Sequence, residues 1–238
     1  MKTPFYFAAV VVLALTTSSA RPDGLIYQLP KDGTWVSYDM DATVEMGEHK
    51  ETMKGSLRLA SVGKTTEQDK PCRWIEVAFE ARAGNQRQMP KITVKALIPE
   101  EHLGKGKAPL DHVIRAWIRR AESDPKELED PKNFDKGPLP MVLAPPSKDA
   151  KQLEEKTVDS DLGELSCPGV TGTTKFKARE TIDVTLETRL HPKSPFGVVA
   201  ARWDINVSTE GETQPALTMN LKLSGRGDDA KSELPEQQ

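Results

Sequence analysis

The sequence predicts a mainly β fold of the α+β class, a curved, half-barrel-like antiparallel sheet packed on one main amphipathic helix. Two observations lead there. The stretch Pro109–Ala121, PLDHVIRAWIRRA, places Leu110, Val113, Ile114, Trp117, Ile118 and Ala121 at i, i+3, i+4, i+7, i+8 and i+11. That is one apolar stripe on a helix over 109–122, with Asp111, His112, Arg115, Arg119 and Arg120 on its other side. Most of the remaining chain alternates apolar and polar residues with period two, as strands with one wet face do.

The chain opens with Lys2, an uncharged apolar run Phe5–Leu15 and small residues at Ser18 and Ala20. This reads as a signal peptide over 1–20, cut after Ala20. The run is short for a bilayer, which takes about 20 apolar residues. No second stretch approaches that length, so no transmembrane segment is expected after cleavage. The mature protein is expected in the periplasm or secreted. Removing Lys2 takes the formal net charge from −3 to −4. That mild acidity argues against nucleic acid, whose binders carry a basic footprint. A single β-rich domain is expected over 21–225, with a disordered polar tail over 226–238.

After the turn at Asp32-Gly33, Val36–Met46 is the clearest strand, with Val36, Tyr38, Met40, Ala42 and Val44 on one face. Gly47–Glu51 turns the chain. Met53–Val62 returns, Gly63–Pro71 reads as a charged loop, and Cys72–Ala81 and Lys91–Ile98 complete a meander. Pro99 ends the fourth strand, and Glu100–Lys107 connects it to the helix, where Pro109 suits the first turn. Glu122–Pro140, dense in charge and proline, reads as a long exposed loop. Met141–Ala144 is a short apolar patch before Pro145-Pro146.

Strands resume at Gln152–Ser160 and Gly163–Cys167, with a turn at Pro168-Gly169, then at Thr171–Ala178 and Ile182–Leu190. In Phe196–Val207 the apolar phase moves from even to odd positions, which implies a bulge near Ala200–Arg202. Leu217–Leu223 is the last strand.

Cys72 and Cys167 are the two cysteines. In an oxidising compartment a pair suggests one disulfide. Closing so long a loop would contribute roughly 4–5 kcal/mol in the chain-entropy model. The alternative is two buried thiols. A metal site needs more ligands than these, and His49, His102, His112 and His191 are scattered without an HExxH pair. Convergence of Glu100, Glu101 and His102 with His112 is the one arrangement that would suit metal or acid–base work. Asp39, Asp41 and Glu45 share one strand face and read as a solvated face. Gly104-Lys105-Gly106-Lys107 leads into the helix start, where backbone N–H groups could hold an anion, though the spacing is not a P-loop. No GxSxG and no nucleophile–base pair is present, so no catalytic residue and no cofactor is assigned. Asn206-Val207-Ser208 is a glycosylation sequon. Trp35 and Trp74 fall on the polar phase of their strands and mark either a second apolar layer or a contact surface.

The order of meander, mid-chain helix and second meander resembles the outer-membrane lipoprotein carriers (the LolA, LppX and RseB type). The wording DGTWVSYDM, CRWIEV and SPFGVVAARW also resembles secreted bacterial proteins of unknown function. The carrier resemblance implies a bent sheet wrapped around helices, with an apolar cavity. Two functions follow as expectations. One is an envelope protein that shelters a lipid or other apolar ligand between sheet and helix, against Tyr38, Met40, Val77, Phe79, Val94, Val113 and Trp117. The other is a structural or protein-interaction module of the envelope with a filled core and a protein partner.

Overall fold

A computed structural model describes residues 24–46, 49–84, 88–129, 142–143, 149–177, 181–209 and 212–234. The expected signal peptide lies outside them, as do residues 130–140 of the expected 122–140 loop. Eleven strands follow in chain order: β1 (Trp35–Met46), β2 (His49–Glu67), β3 (Lys70–Ala83), β4 (Ile92–Pro99), β5 (Arg115–Arg120), β6 (Lys126–Glu127), β7 (Lys151–Ser160), β8 (Gly163–Lys177), β9 (Thr181–Leu190), β10 (Val198–Thr209) and β11 (Glu212–Gly227). They form one antiparallel sheet in the order β6-β5-β4-β3-β2-β1-β11-β10-β9-β8-β7. Each half of the chain is a meander, and the first and last strands pair where the halves meet.

The α+β expectation is overturned. Pro109–His112 makes only a short 3-10 turn, and Arg115–Arg120 is strand β5, paired to β4 with Ile118 opposite Val94 and Ala116 opposite Ala96. The apolar stripe splits accordingly. Val113, Ala116 and Ile118 join the core, while Arg115, Trp117 and Arg119 alternate onto the other face. Two features favour the strand. Val113, Ile114 and Ile118 are β-branched and stiff in a helix. β4 is buried along nearly its whole length, so leaving its outer edge unpaired would bury or expose bare backbone groups.

Other boundaries move for local reasons. The expected loop 63–71 is the end of a hairpin. β2 continues to Glu67, and Gln68 and Asp69 turn with φ of 51° and 61°, the left-handed pair that a two-residue hairpin turn needs. Pro168 does not end a strand. It sits inside β8, where the register against β7 shifts between Leu153 and Lys156, so the missing N–H falls at an irregularity. The expected bulge in β10 is found between Val198 and Ala200.

One face of the sheet carries the core. No helix covers it. Residues outside the strands do: Leu25 and Ile26, Leu103, Val113, and Val142 with Leu143 are all buried. Backbone bonds hold them there, with the Leu25 N–H donating to the Val142 carbonyl at 2.9 Å and the Tyr27 N–H to the Phe196 carbonyl at 2.9 Å. The Tyr38 hydroxyl donates to the Val198 carbonyl at 3.1 Å, so a side chain of β1 ties into the start of β10.

The opposite face is also covered, and here the tail expectation fails for Asp228–Leu234. The segment crosses the outer face from β1 to β5. Trp35 Nε1 donates to Asp229 Oδ1 at 2.8 Å, and the Ala230 N–H donates to the Gly33 carbonyl at 2.8 Å. The Glu76 carboxylate on β3 then accepts the Ser232 hydroxyl at 2.7 Å and the N–H groups of Glu233 at 2.9 Å and Leu234 at 3.3 Å. Lys91 and Arg119 meet Glu233 in turn, at 2.8 and 3.3 Å. The strap explains why Glu76, Thr93 and Leu234 are buried on the wet phase of the pattern. A buried acceptor serving several donors is costly to remove. Replacing Glu76 by Ala is expected to lower stability in urea by about 1–3 kcal/mol, and to speed tryptic cleavage at Lys231, read by mass spectrometry. Unchanged cleavage would mean the strap does not depend on Glu76.

Candidate functional site

The seven residues expected to line an apolar ligand site fall on both faces of the sheet. Tyr38, Met40, Val77, Val94 and Val113 are between 0 and 2 % exposed, inside one packed cluster. Phe79 packs at the edge of that cluster. Trp117 lies on the other face of β5, and its ring N–H has no hydrogen-bond partner among the described residues. Burial drives the Tyr38 phenol far above its ordinary pKa, with Ser194 opposing. It is a neutral donor in the core rather than an acid.

At the end of the core face, β3 places a buried charge. Arg73 donates through Nε and Nη2 to Glu100 Oε1 at 3.1 and 2.6 Å, and through Nη1 to the Pro30 carbonyl at 2.7 Å and Ser61 Oγ at 2.9 Å. Four of its five N–H donors are taken by the protein, so it ties the lead-in to the sheet.

His102 and His112 do converge. Their rings stack at 3.4 Å between centroids with planes 6° apart, each at the end of a short 3-10 turn. Glu101 Oε1 lies 3.5 Å from His102 Nε2 but is held by Lys70 at 2.8 Å. Among the described residues no group of three metal-ligating side chains forms. Burial, then the neighbouring His112, holds the His102 imidazole below its usual value. The anion-binding reading at Gly104–Lys107 loses its basis, because no helix starts there. Lys105 instead reaches over the Tyr27 ring at 5.7 Å. Asp41 and Glu45 pair with Lys54 and Lys50 across the β1–β2 hairpin at 3.8 and 2.8 Å, as a solvated face does. Trp35 and Trp74 belong to a second layer. Arg58 stacks on the first at 5.0 Å and Lys95 on the second at 5.1 Å.

The expected disulfide is not formed. Both thiols are free and buried, Cys72 on β3 and Cys167 on β8, with five strands between them in the sheet order. Burial pushes both thiols up, which keeps them protonated and inert.

Sequence reasoning missed an open concavity, a groove of about 630 Å³. Its floor is the outer face of β9, β10 and β11, and its wall is the β7 segment Lys156–Asp159. The β7–β8 hairpin reaches it by folding back. The Asp161 N–H donates to the Leu223 carbonyl at 3.2 Å, and Lys222 pairs with Asp159 at 3.2 Å. β7 is four places from β11 in the sheet, about 19 Å if the sheet were flat, so this half is strongly curled. Arg189, Ala200 and Lys222 stand in one row across the three floor strands. The only signal in the sequence was the wet phase of three separate strands, and nothing local says that a hairpin returns over it.

No family model matches the chain, and no curated protein matches it. Among solved structures, it is similar to a candidate lipoprotein from Parabacteroides distasonis, at 11% identity over 86% of this chain and 99% of the other, with a TM-score of 0.37. It is also similar to a candidate exported protein with a YmcC-like fold from Bacteroides fragilis, at 10% identity over 85% and 99%, with a TM-score of 0.37. Likenesses this loose decide neither fold nor function.

Two outcomes follow from the geometry. A lowered His102 pKa means the folded chain binds fewer protons than the unfolded one, so its contribution is present above the unfolded value near 6.5 and is lost as pH falls below it. The urea midpoint is expected to drop between pH 7.5 and 5.5, and to drop less in His102→Asn. For the thiols, a thiol-reactive dye without reductant is expected to find neither Cys72 nor Cys167 in the native protein and both after unfolding in urea. A protein that stays unreactive when unfolded would carry the disulfide after all.

Proposed function

We propose that the chain is an exported envelope protein that works as a structural or protein-interaction module built on a filled core. Export rests on the Phe5–Leu15 run and the small residues at Ser18 and Ala20. The observation that carries the rest is how the core face is occupied. Leu25, Ile26, Val142 and Leu143 are fully or almost fully buried against it, in the place where a carrier would hold acyl chains. The residues that an apolar ligand would have to touch are already closed over by the chain itself. Among the described residues, a guest on that part of the core face would have to displace those segments.

A protein partner would then be met on the outside. The proline- and charge-rich 122–140 stretch is the proposed contact. Its described start leaves β5 with Glu122 and Asp124 exposed before β6 caps the sheet edge.

Native mass spectrometry of the protein isolated from the envelope fraction of its own host tests the reading in one measurement. The expected spectrum shows a chain beginning at Arg21, free of lipid, with part of it in complex with a second protein. A co-purifying lipid would overturn the filled core, and an intact Met1 chain in the cytosol would overturn export.

A further inference from the structure

We propose that the outer face of β3–β5 is a recognition site for a protein partner that offers an extended segment with a hydroxyl, an acidic and an aliphatic residue in succession. The chain's own Ser232-Glu233-Leu234 fills that site in this structure and acts as its tethered competitor. The site lies across the sheet from the core and does not rest on the 122–140 contact.

Three observations lead to this partner class. The first is the form of the contact. Strand pairing of the C-terminal segment stops with Gly227 opposite Trp35, and the last backbone–backbone bond described runs from Ala230 to Gly33. From Ser232 to Leu234 every described bond to the sheet goes through a side chain of the sheet. Glu76 takes the Ser232 hydroxyl and the consecutive N–H groups of Glu233 and Leu234, an anion cradled by main-chain donors. Arg119 Nη1 donates to the Glu233 carbonyl at 3.0 Å. Arg119 Nη2, Lys91 Nζ and Thr93 Oγ1 reach the Glu233 carboxylate at 3.3, 2.8 and 3.4 Å. Leu234 is 2 % exposed. Main chain and side chain are read together, as peptide-binding sites read them.

The second is a donor left over. Glu76, Lys95 and Trp117 form one row across β3, β4 and β5. Trp117 Nε1, at the end of that row, is buried with no acceptor among the described residues. An unmatched buried N–H is costly. A partner segment that brings a carbonyl to it gains a bond that the described strap does not make. The third is that the strap can leave. It sits on the wet phase of the strands, and Glu233, Lys91 and Arg119 are part-exposed, so water can replace it at these groups without opening the core. The floor suits a main chain lying close to it: Ala60 stands opposite Glu76 on β2, and Ala78 follows it on β3. A short tether gives the strap an effective concentration on the order of 1 mM, which a partner must outcompete.

Fluorescence anisotropy on the full mature chain tests this, with a labelled peptide of residues 231–236 and the same peptide carrying Glu233→Lys as probes. The receptors are the wild type and a Glu233→Lys/Leu234→Ser double variant, in which the strap is spoiled and Glu76, Lys91, Thr93 and Arg119 are untouched. The expected result is saturable binding of the native peptide to the double variant, at least about tenfold tighter than to the wild type. The charge-reversed peptide should not bind, and adding Arg119→Glu to the double variant should abolish binding of the native one. Hydrogen exchange on the wild type gives a second reading: the Glu233 and Leu234 amides should exchange well before those of the β1–β11 seam. Exchange of strap and seam together, or a double variant that no longer folds, would make the strap part of the fold and overturn the proposal. So would a folded double variant that ignores the native peptide or binds both peptides alike. A wild-type dimer in sedimentation that the double variant loses would give the site to a second copy's strap and overturn the foreign partner.

Discussion

The pairing of the first strand with the last is the contact on which the rest of the molecule rests. β1 and β11 run antiparallel from Trp35 opposite Gly227 to Val44 opposite Leu217, with one register shift between Ser37 and Tyr38. Without that seam each half would be a separate meander with an apolar face and a bare edge. With it, the chain ends arrive in the middle of the sheet. The N-terminal lead-in can then reach Phe196, and the C-terminal segment can cross to β5. The seam joins residues nearly the full length of the chain apart, so its closure entropy is large and local contacts must form first. The hydroxyl of Tyr38, reaching Val198 from inside β1, fastens the same junction on the core face.

A sheet this wide has two faces to account for, and the protein treats them differently. The core face is filled by aliphatic residues from outside the sheet, so their backbone groups must find partners beyond the strand ladders. The bonds to Val142 and Phe196 supply them. The outer face of β3–β5 is covered by a polar strap. There the energetic logic is hydrogen-bond satisfaction rather than area. Glu76 is almost completely buried, and its carboxylate is stabilised by a hydroxyl and two N–H groups from three consecutive residues. Glu233 then carries the network on to Lys91, which burial would pull down but which the carboxylates of Glu233 and Glu80 hold above its usual pKa.

Strands with a single wet face were legible from the chain alone. Val36–Met46 has an uninterrupted alternation, and its register with β2 runs without a break from Trp35 to Met46. Misreading came where a short apolar run satisfies two periods at once. Between Val113 and Ile118 the spacing that makes a helical stripe also puts Ala116 and Ile118 on one side of a strand, and only the open edge of β4 decides between them. Gln68-Asp69 was hidden because neither residue announces a left-handed turn as Asn-Gly does. The polarity of the tail suggests disorder, yet polarity is what a buried carboxylate on β3 requires of the segment above it. The apolar candidates were correctly found as inward residues for the most part. Inwardness alone does not separate a filled core from a lined cavity, since both demand the same side chains.

That difference between the faces also decides where recognition can occur. On the N-terminal half the outer charges are neutralised within the chain: Glu76 by the strap, Glu233 by Lys91 and Arg119, Glu101 by Lys70. A ligand at those groups would have to displace contacts they already make. On the C-terminal half the covering element is a hairpin that touches the floor at its tip and through the Arg189 anchor, leaving a groove between. A partly covered charged surface is cheaper to desolvate than an open one and less committed than a closed one. The curl that brings Asp161 to Leu223 therefore does more than protect an edge strand. It converts the wet phase of three ordinary strands into a concavity walled by ion pairs.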